Sequence, residues 1–391
     1  MTEKTKRNAQ GAGTIRQRSD GRWEARFTVG RHPGTGKQIQ KSIYGKTQSE
    51  VRKKLTAAVS AVDMGAYTEP SKMTVGQWLD IWVKDYTGGI KDETKTQYEQ
   101  ICRVHLKPNF GNVKLLALKP HHIQAMYNTL VREKGKSPKT VKNINGVLHK
   151  ALQQAILLNY IPVNPCNAVQ LPKVEKHEMT VLSENQIDSF LKEIKGTEYE
   201  DIFIVDLFTG MRQGEIMGLT WDRIDFEEGT ILIDRQLIHE RKRDGLYKFA
   251  PTKTDKARKI KPANFVIQIL KERRKKQLQD KLIAGDMWDD GGIPNLVFTN
   301  HFGLHYGKAT LTHHITSLGK KIGAEGLRFH DLRHTYAVSS IRAGDDIKTI
   351  SSNLGHTTVA MTLDIYAHFT TDMMNDSSDR MEAYSKRFIN L

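Results

Sequence analysis

A chain of 391 residues with 38% hydrophobic and 27% charged side chains is too long for one ordinary domain and too apolar to remain unfolded. No run of 18 apolar residues occurs and the basic, polar start has no apolar stretch behind it, so neither a membrane span nor a secretory signal is expected. Sixty Lys and Arg against 44 Asp and Glu leave a charge of +16, which points to a polyanionic partner. Residues 1–70 hold 14 of the basic and 6 of the acidic residues, so half of the surplus sits in under a fifth of the chain, as a binding surface would have it. Two cysteines, Cys102 and Cys166, give neither a disulfide framework nor zinc-ligand spacing and read as free thiols of a reducing cytoplasm.

Residues 1–10 are polar and aperiodic and read as a mobile tail. From Gly11 the pattern turns short and extended. Thr14–Arg18 is followed by the turn signal Ser19-Asp20-Gly21, then by the alternating run Trp23–Val29, a Gly/Pro loop and a third run, Lys37–Ile43. Thr47 can cap a helix from Gln48 to about Val62 that covers one face of the sheet. The uncovered face would carry Arg16, Arg18, Arg26 and Lys41, which suits insertion into a DNA groove; a merely solvated face is the plain alternative.

Tyr67–Ser71, with its proline, marks a boundary. Residues 73–169 then read as helices: apolar positions recur at helical spacing in Val75–Tyr86, Thr94–Leu106 and His121–Val131, and a fourth helix starts at Ser137-Pro138. Lys139, Lys142 and Lys150 on that last helix face either phosphates or water. Asn164-Pro165 ends the bundle, and Leu171–His177 reads as an extended linker. Beyond it, Ser183 caps a helix from Glu184 to Lys195, and a strand-rich interval runs from Thr230 to Ile260.

Four segments of this last region carry chemistry: Thr209–Ile216 with Arg212 and Glu215, Pro251–Thr254 with Lys253, His330–His334 with Arg333, and Leu354-Gly355-His356 with Tyr366 ten residues on. Two guanidiniums, an ammonium, imidazoles and a phenol suit a phosphodiester. The arginines can fork onto non-bridging oxygens, the phenol can attack phosphorus, and a lysine or histidine can move protons. That chemistry calls for no metal and no other cofactor.

In order and spacing the set resembles the signature of tyrosine recombinases: the arginine-plus-acid motif at Arg212, Lys253 on a hairpin, the His-x-x-Arg box at His330 and Arg333, then His356 and Tyr366. The likeness extends along the whole chain and is greatest to phage integrases and integrases of conjugative transposons, with the second favoured. It implies an α+β multidomain fold in three parts. Residues 1–70 are a basic module, a three-stranded sheet plus helix, for arm-type DNA sites. Residues 71–170 form a helical bundle for core sites. Residues 178–391 form a mostly helical catalytic domain with a small antiparallel sheet, and the two larger domains are expected to clamp the duplex from opposite sides.

By the same resemblance, Arg212 and Arg333 clamp the scissile phosphate, Glu215 orients Arg212, and Tyr366 forms a 3′-phosphotyrosyl link. Lys253 would protonate the departing 5′ oxygen, His330 would assist proton transfer at Tyr366, and His356 would hydrogen-bond the phosphate. Strand exchange through a Holliday junction then implies a homotetramer on double-stranded DNA in the bacterial cytoplasm, on the nucleoid when bound, and whether an accessory factor for excision is a further partner stays open.

Each piece has a plainer reading. His330 and His334 at i and i+4, with Asp331 between, mimic a zinc-protease helix, but an intervening arginine and an Asp shorter than the usual Glu argue against metal. Arg212 and Glu215 taken alone are an ordinary i,i+3 ion pair. Lys256, Lys259 and Lys261 lie close to Lys253, and Tyr336 and Tyr384 are alternative phenols. Gly36-Lys37 lacks the rest of a phosphate loop. Two wider alternatives stay open: a sequence-specific DNA-binding regulator with unused catalytic residues, and a relaxing topoisomerase with the same phosphotyrosine chemistry. The helical spacing of Met373, Met381, Tyr384 and Phe388 suggests a tail that packs on a neighbouring protomer.

Overall fold

The structure, a computed structural model, describes residues 13–64, 72–175, 179–239, 246–253 and 255–366, with backbone alone at 364–366, and in the tail 381, 382, 384–386 and 388. The tail at residues 1–10, the boundary at 67–71, the end of the linker at 176–177, Thr254 and Met373 lie outside the described residues. Backbone proximity divides the chain into two compact units, residues 1–176 and 177–391.

In the first unit β1 (Thr14–Gln17), β2 (Trp23–Arg31) and β3 (Gln38–Gly45) form an antiparallel sheet in the order β1-β2-β3. Helix α1 (Gln48–Asp63) begins where Thr47 accepts the Glu50 amide at 3.2 Å, and it buries Val51 and Leu55 against Ala25 and Phe27. Register then decides which side chains share a face. Ala25 pairs with Ile15 and Ile43, and Phe27 pairs with Lys41, so Lys41 stands on the face that α1 covers. This corrects the expectation that Lys41 joins the arginines on the open face. The same parity puts Arg16, Arg26, Ser42 and Tyr44 on the open face around Glu24.

The unit's other core belongs to a helical bundle: α2 (Val75–Asp85), α3 (Asp92–Ile101), α4 (Lys107–Phe110), α5 (Pro120–Arg132) and α6 (Pro138–Leu157). The expected helix through Leu106 keeps α-geometry only to Ile101. A π turn, Cys102–Leu106, follows, in which the Lys107 amide reaches back to the Cys102 carbonyl. Pro108, lacking an amide hydrogen, cannot close the regular bond there, and the wider turn accommodates that. Trp78 is fully buried and its indole N–H donates to the Ala151 carbonyl at 2.9 Å, tying α2 to α6.

The second unit opens with α7 (Glu184–Ile194), capped reciprocally by Ser183 and Gln186. Helix α8 (Glu200–Thr209) is apolar nearly all round and runs through the core; the short α9 (Gln213–Met217) follows it. The strands β4 (Ile224–Asp225), β5 (Thr230–Ile233), β6 (Arg235–His239), β7 (Tyr247–Pro251) and β8 (Arg258–Ile260) make two antiparallel sheets, β4-β5-β8 and β6-β7. Among the described residues the unit continues with α10 (Asn264–Ala284), α11 (Lys308–Lys321), α12 (Phe329–Arg342), α13 (Ile347–Leu354) and α14 (Ala360–Tyr366). The fold is α+β, and among the described residues no helix is long and apolar enough to cross a membrane.

Candidate active site

Two helices of the second unit end on glycines in the left-handed conformation, Gly210 after α8 (φ 59°) and Gly355 after α13 (φ 64°). Glycine is needed at Gly210 twice over, because a Cβ there would also meet Tyr336 Cδ1 at 2.5 Å and Leu354 Cδ2 at 2.7 Å. Such ends leave carbonyl groups without intrahelical partners. Here they accept from arginines. Arg333, 2% exposed on α12, donates Nη1 to the Gly210 carbonyl at 2.8 Å and Nη2 to the Leu354 carbonyl at 2.6 Å. Arg212 donates Nη2 to the Gly355 carbonyl at 3.0 Å. Cations are favoured at the negative ends of helix dipoles, so both guanidiniums are held by backbone that suits their charge.

Glu215 fixes Arg212 from one turn on, accepting its Nη1 at 2.7 Å and its backbone amide at 3.0 Å. It is not, however, a private pair. Arg258 on β8 donates Nη1 and Nη2 to the two oxygens of Glu215, at 3.1 and 2.6 Å, and Nε to the Asn353 carbonyl at 2.7 Å. Although burial alone would raise the Glu215 carboxyl, the two arginines hold it near 2. Burial, and next the charge of Arg212, lower Arg333 to about 9, which leaves it cationic at neutral pH.

The imidazoles lie in the same field. His356 is half-buried, and burial with the charges of Arg333 and Arg212 lowers it to about 4. His330 opens α12 with part of its ring in solvent, yet the surrounding walls desolvate it and His334 and Arg333 add like charge, which also brings it to about 4. Both are therefore neutral at pH 7. His356 Nδ1 lies 2.9 Å from the hydroxyl of Thr362, a buried residue of α14 one helical turn before Tyr366. Tyr366 is the last residue of α14, and its side chain lies outside the described residues. His330 and His334 meet edge to face with ring centroids 4.8 Å apart, and Asp331 holds Arg328 through both oxygens, at 2.9 and 3.1 Å. Among the described residues no cluster of three or more His, Cys, Asp or Glu is placed to hold a metal ion.

The structure thus brings Arg212, Glu215, His330, Arg333 and His356 together. Lys253 lies exposed in the connection from β7 to β8, strands of different sheets rather than the two arms of one hairpin. Lys256, Lys259 and Lys261 are exposed as well. Tyr336 packs in a small core with Val338, Ile350 and Leu354. The residues expected from sequence to face DNA belong to the other unit. Arg16 and Arg26 both donate to the buried Glu24, at 2.7 and 3.0 Å, whose carboxyl is held near 2 chiefly by the Arg16 bond. Arg18 lies over the ring of Tyr44, 5.4 Å from its centroid. Lys139 and Lys142 are exposed in the first turns of α6, whereas Lys150 donates to the Tyr98 hydroxyl at 2.9 Å.

Two residues of the site escaped the sequence reading. Arg258 gave no signal beyond being one more basic residue in a basic stretch. Asp206 did give one, as a carboxylate inside the apolar run of α8. It is fully buried with no hydrogen-bond partner on either oxygen among the described residues, and burial pushes it well above the usual carboxylate range despite the nearby Arg333.

The phage integrase family model matches residues 180–373, the whole span that carries this cluster, and the family's N-terminal SAM-like domain model matches residues 74–131. The chain belongs to the phage integrase family, the tyrosine-type site-specific recombinases. This integrase-family chain is 29% identical over 357 residues to a XerC-like tyrosine recombinase of Caldanaerobacter subterraneus subsp. tengcongensis, covering 87% of this chain and 90% of the relative. It is 26% identical over 299 residues to the transposase of transposon Tn916 from Enterococcus faecalis, covering 72% of this chain and 71% of that one. Among solved structures, the integrase of transposon Tn1549 in complex with a circular intermediate DNA superposes with a TM-score of 0.67 at 26% identity, covering 79% of this chain and 99% of that one. The likeness to integrases of conjugative transposons is thus shown in sequence and in fold.

Proposed function

We propose that this recombinase cuts and rejoins DNA at specific sites through a 3′-phosphotyrosyl intermediate at Tyr366 and a Holliday junction, integrating and excising a mobile element. The observation that carries the proposal is the pair of guanidiniums, Arg212 and Arg333, fixed by the carbonyls of Gly210, Leu354 and Gly355. Both keep N–H donors beyond those bonds. Two such forks can take the non-bridging oxygens of a phosphodiester and stabilise the charge that develops as phosphorus becomes five-coordinate. His330 and His356, held neutral, can accept or donate a proton at the phenol and the phosphate. Lys253 is assigned the departing 5′ oxygen.

In this reading residues 1–70 engage arm-type sites through Arg16, Arg18 and Arg26, residues 71–170 engage core sites through Lys139 and Lys142, and residues 178–391 carry the chemistry. The Tn1549 integrase is described in complex with a circular intermediate DNA, and a lambda integrase tetramer is described on a Holliday junction. We infer that four copies of this chain likewise assemble on two duplexes in the bacterial cytoplasm, with room in the scheme for an accessory factor that favours excision.

The test is a nicked suicide duplex in chelator, with the parent and Tyr366→Phe compared across a panel of candidate attachment sites. A covalent protein–DNA adduct that the single missing hydroxyl abolishes supports the reading. Tight binding with no adduct at any site overturns it in favour of a DNA-binding regulator.

A further inference from the structure

Glu215 is shared by two arginines from different parts of the chain, and the sharing has an electrostatic consequence. A carboxylate paired with Arg212 alone would hold that guanidinium in place but also cancel its charge, directly beside the position an anionic phosphate must occupy. Two guanidiniums on one carboxylate leave one positive charge uncompensated. The geometry assigns the compensating role to Arg258. Its side chain is only 10% exposed, it meets both oxygens of Glu215, and its Nε is anchored on the Asn353 carbonyl, two residues before Gly355. The fit is close: a Cβ on Gly355 would lie 3.0 Å from Arg258 Cδ, so the glycine that presents its carbonyl to Arg212 also makes room for Arg258. One residue therefore joins β8, the Arg212 turn and the end of α13.

We propose that Arg258 is a positioning residue that takes up the charge of Glu215 through a two-point ion pair, so that Arg212 is oriented by this carboxylate without being neutralised by it. The inference rests on the reading that Arg212 binds a scissile phosphate. Arg258 itself touches no substrate; it sets the charge that Arg212 presents. A tie with a merely structural purpose would have the same geometry but respond differently to charge.

The experiment compares the parent, Arg258→Ala, Arg258→Lys, Glu215→Gln and the double variant Arg258→Ala/Glu215→Gln. Single-turnover cleavage is measured on a suicide duplex with either phosphate or uncharged methylphosphonate at the scissile position. Arg258→Ala is expected to slow cleavage of the phosphate by about 100-fold, the scale of losing one transition-state charge interaction. Adding Glu215→Gln removes the unpaired carboxylate and is expected to recover about tenfold, and Arg258→Lys, which keeps the charge, to stay within about tenfold of the parent. On methylphosphonate, where less positive charge is needed, the Arg258→Ala loss should shrink. A double variant no faster than Arg258→Ala, together with equal losses on both substrates, would overturn the proposal.

Calorimetric titration with orthovanadate reads the same charge without DNA. Arg258→Ala should weaken it and Glu215→Gln should restore it, whereas unchanged vanadate affinity overturns the proposal. A parent that forms no adduct would sink the recombinase reading, and the titration would still decide the role of Arg258. If Arg258→Ala unfolds, the comparison of Arg258→Lys with Arg258→Gln, which keeps donors but not charge, serves in its place: a Gln variant as active as the Lys variant refutes the charge role.

Discussion

The carbonyl of Gly210 accepts the Nη1 hydrogen of Arg333 at 2.8 Å, across 123 residues of sequence. The bond exists because α8 ends at Gly210 in the left-handed conformation, which turns that carbonyl towards α12. Gly210→Ala should therefore damage both stability and site. The left-handed backbone costs a non-glycine residue about 1–2 kcal/mol, and the collision with Tyr336 and Leu354 adds about 1–3 kcal/mol of overpacking. For a unit of this size that corresponds to a fall of roughly 5–15 °C in Tm. Differential scanning fluorimetry checks the first effect and the suicide-duplex assay the second. An unchanged Tm would mean that the close approach at Gly210 relaxes freely.

The open face of the N-terminal sheet supplies a prediction that register makes specific. Arg16→Ala and Arg26→Ala should each lower affinity for arm-site DNA and reduce the salt slope of log K by about one. Lys41→Ala, on the face that α1 covers, should leave the slope unchanged. Fluorescence anisotropy at several salt concentrations reads all three. Equal slopes for Lys41→Ala and Arg16→Ala would mean that DNA does not select the face carrying Glu24.

The imidazoles predict a pH profile. With His330 and His356 both near 4, the single-turnover cleavage rate should stay level from pH 8 down to about pH 5.5 and fall only below that. Their folded values lie beneath the ordinary histidine value, so the stability they contribute is fully present above about pH 6.5. It is lost as pH falls towards 4. Urea denaturation of the catalytic unit at pH 7 and pH 5 should show the second effect. A rate that halves near pH 6.5 would mean that at least one of these rings is an ordinary solvated histidine.

Asp206 behaves in the opposite sense. Its carboxyl is raised by burial, so folding at neutral or alkaline pH must bind a proton or bury an unpaired charge. Asp206→Asn should raise Tm at pH 8, and the gain should shrink as pH falls to 5. A variant less stable than the parent at pH 8 would show instead that Arg333 relies on the ionised carboxylate.

Much of the site could be read from sequence because its parts are local motifs. The turn before Arg212, the box around Arg333 and the Leu354-Gly355-His356 corner each carry their own spacing, and caps such as Thr47, Ser137 and Ser183 located helices to within a residue or two. What escaped depends on partners far away in the chain. Arg258 meets Glu215 from 43 residues on and Asn353 from 95 residues before it, and no local pattern separates it from Lys256 or Lys259. The side of the sheet taken by Lys41 was open to simple parity, since Ile39 and Ile43 flank it at two-residue spacing, but its basic charge argued for the other face. The strand-rich interval likewise hid its division into two sheets, because pairing between β5 and β8 is a long-range choice.

That division bears on Lys253. Strands β7 and β8 run on either side of it and, among the described residues, do not pair with each other; the link between them carries the bonds of the Asp255 amide to the Thr252 carbonyl and of the Thr252 hydroxyl to the Lys256 carbonyl. On a true hairpin, shifting the tip strains the ladder beneath it. Here the two flanking strands belong to separate ladders, so a residue inserted between 252 and 257 would leave the register of each sheet as it was.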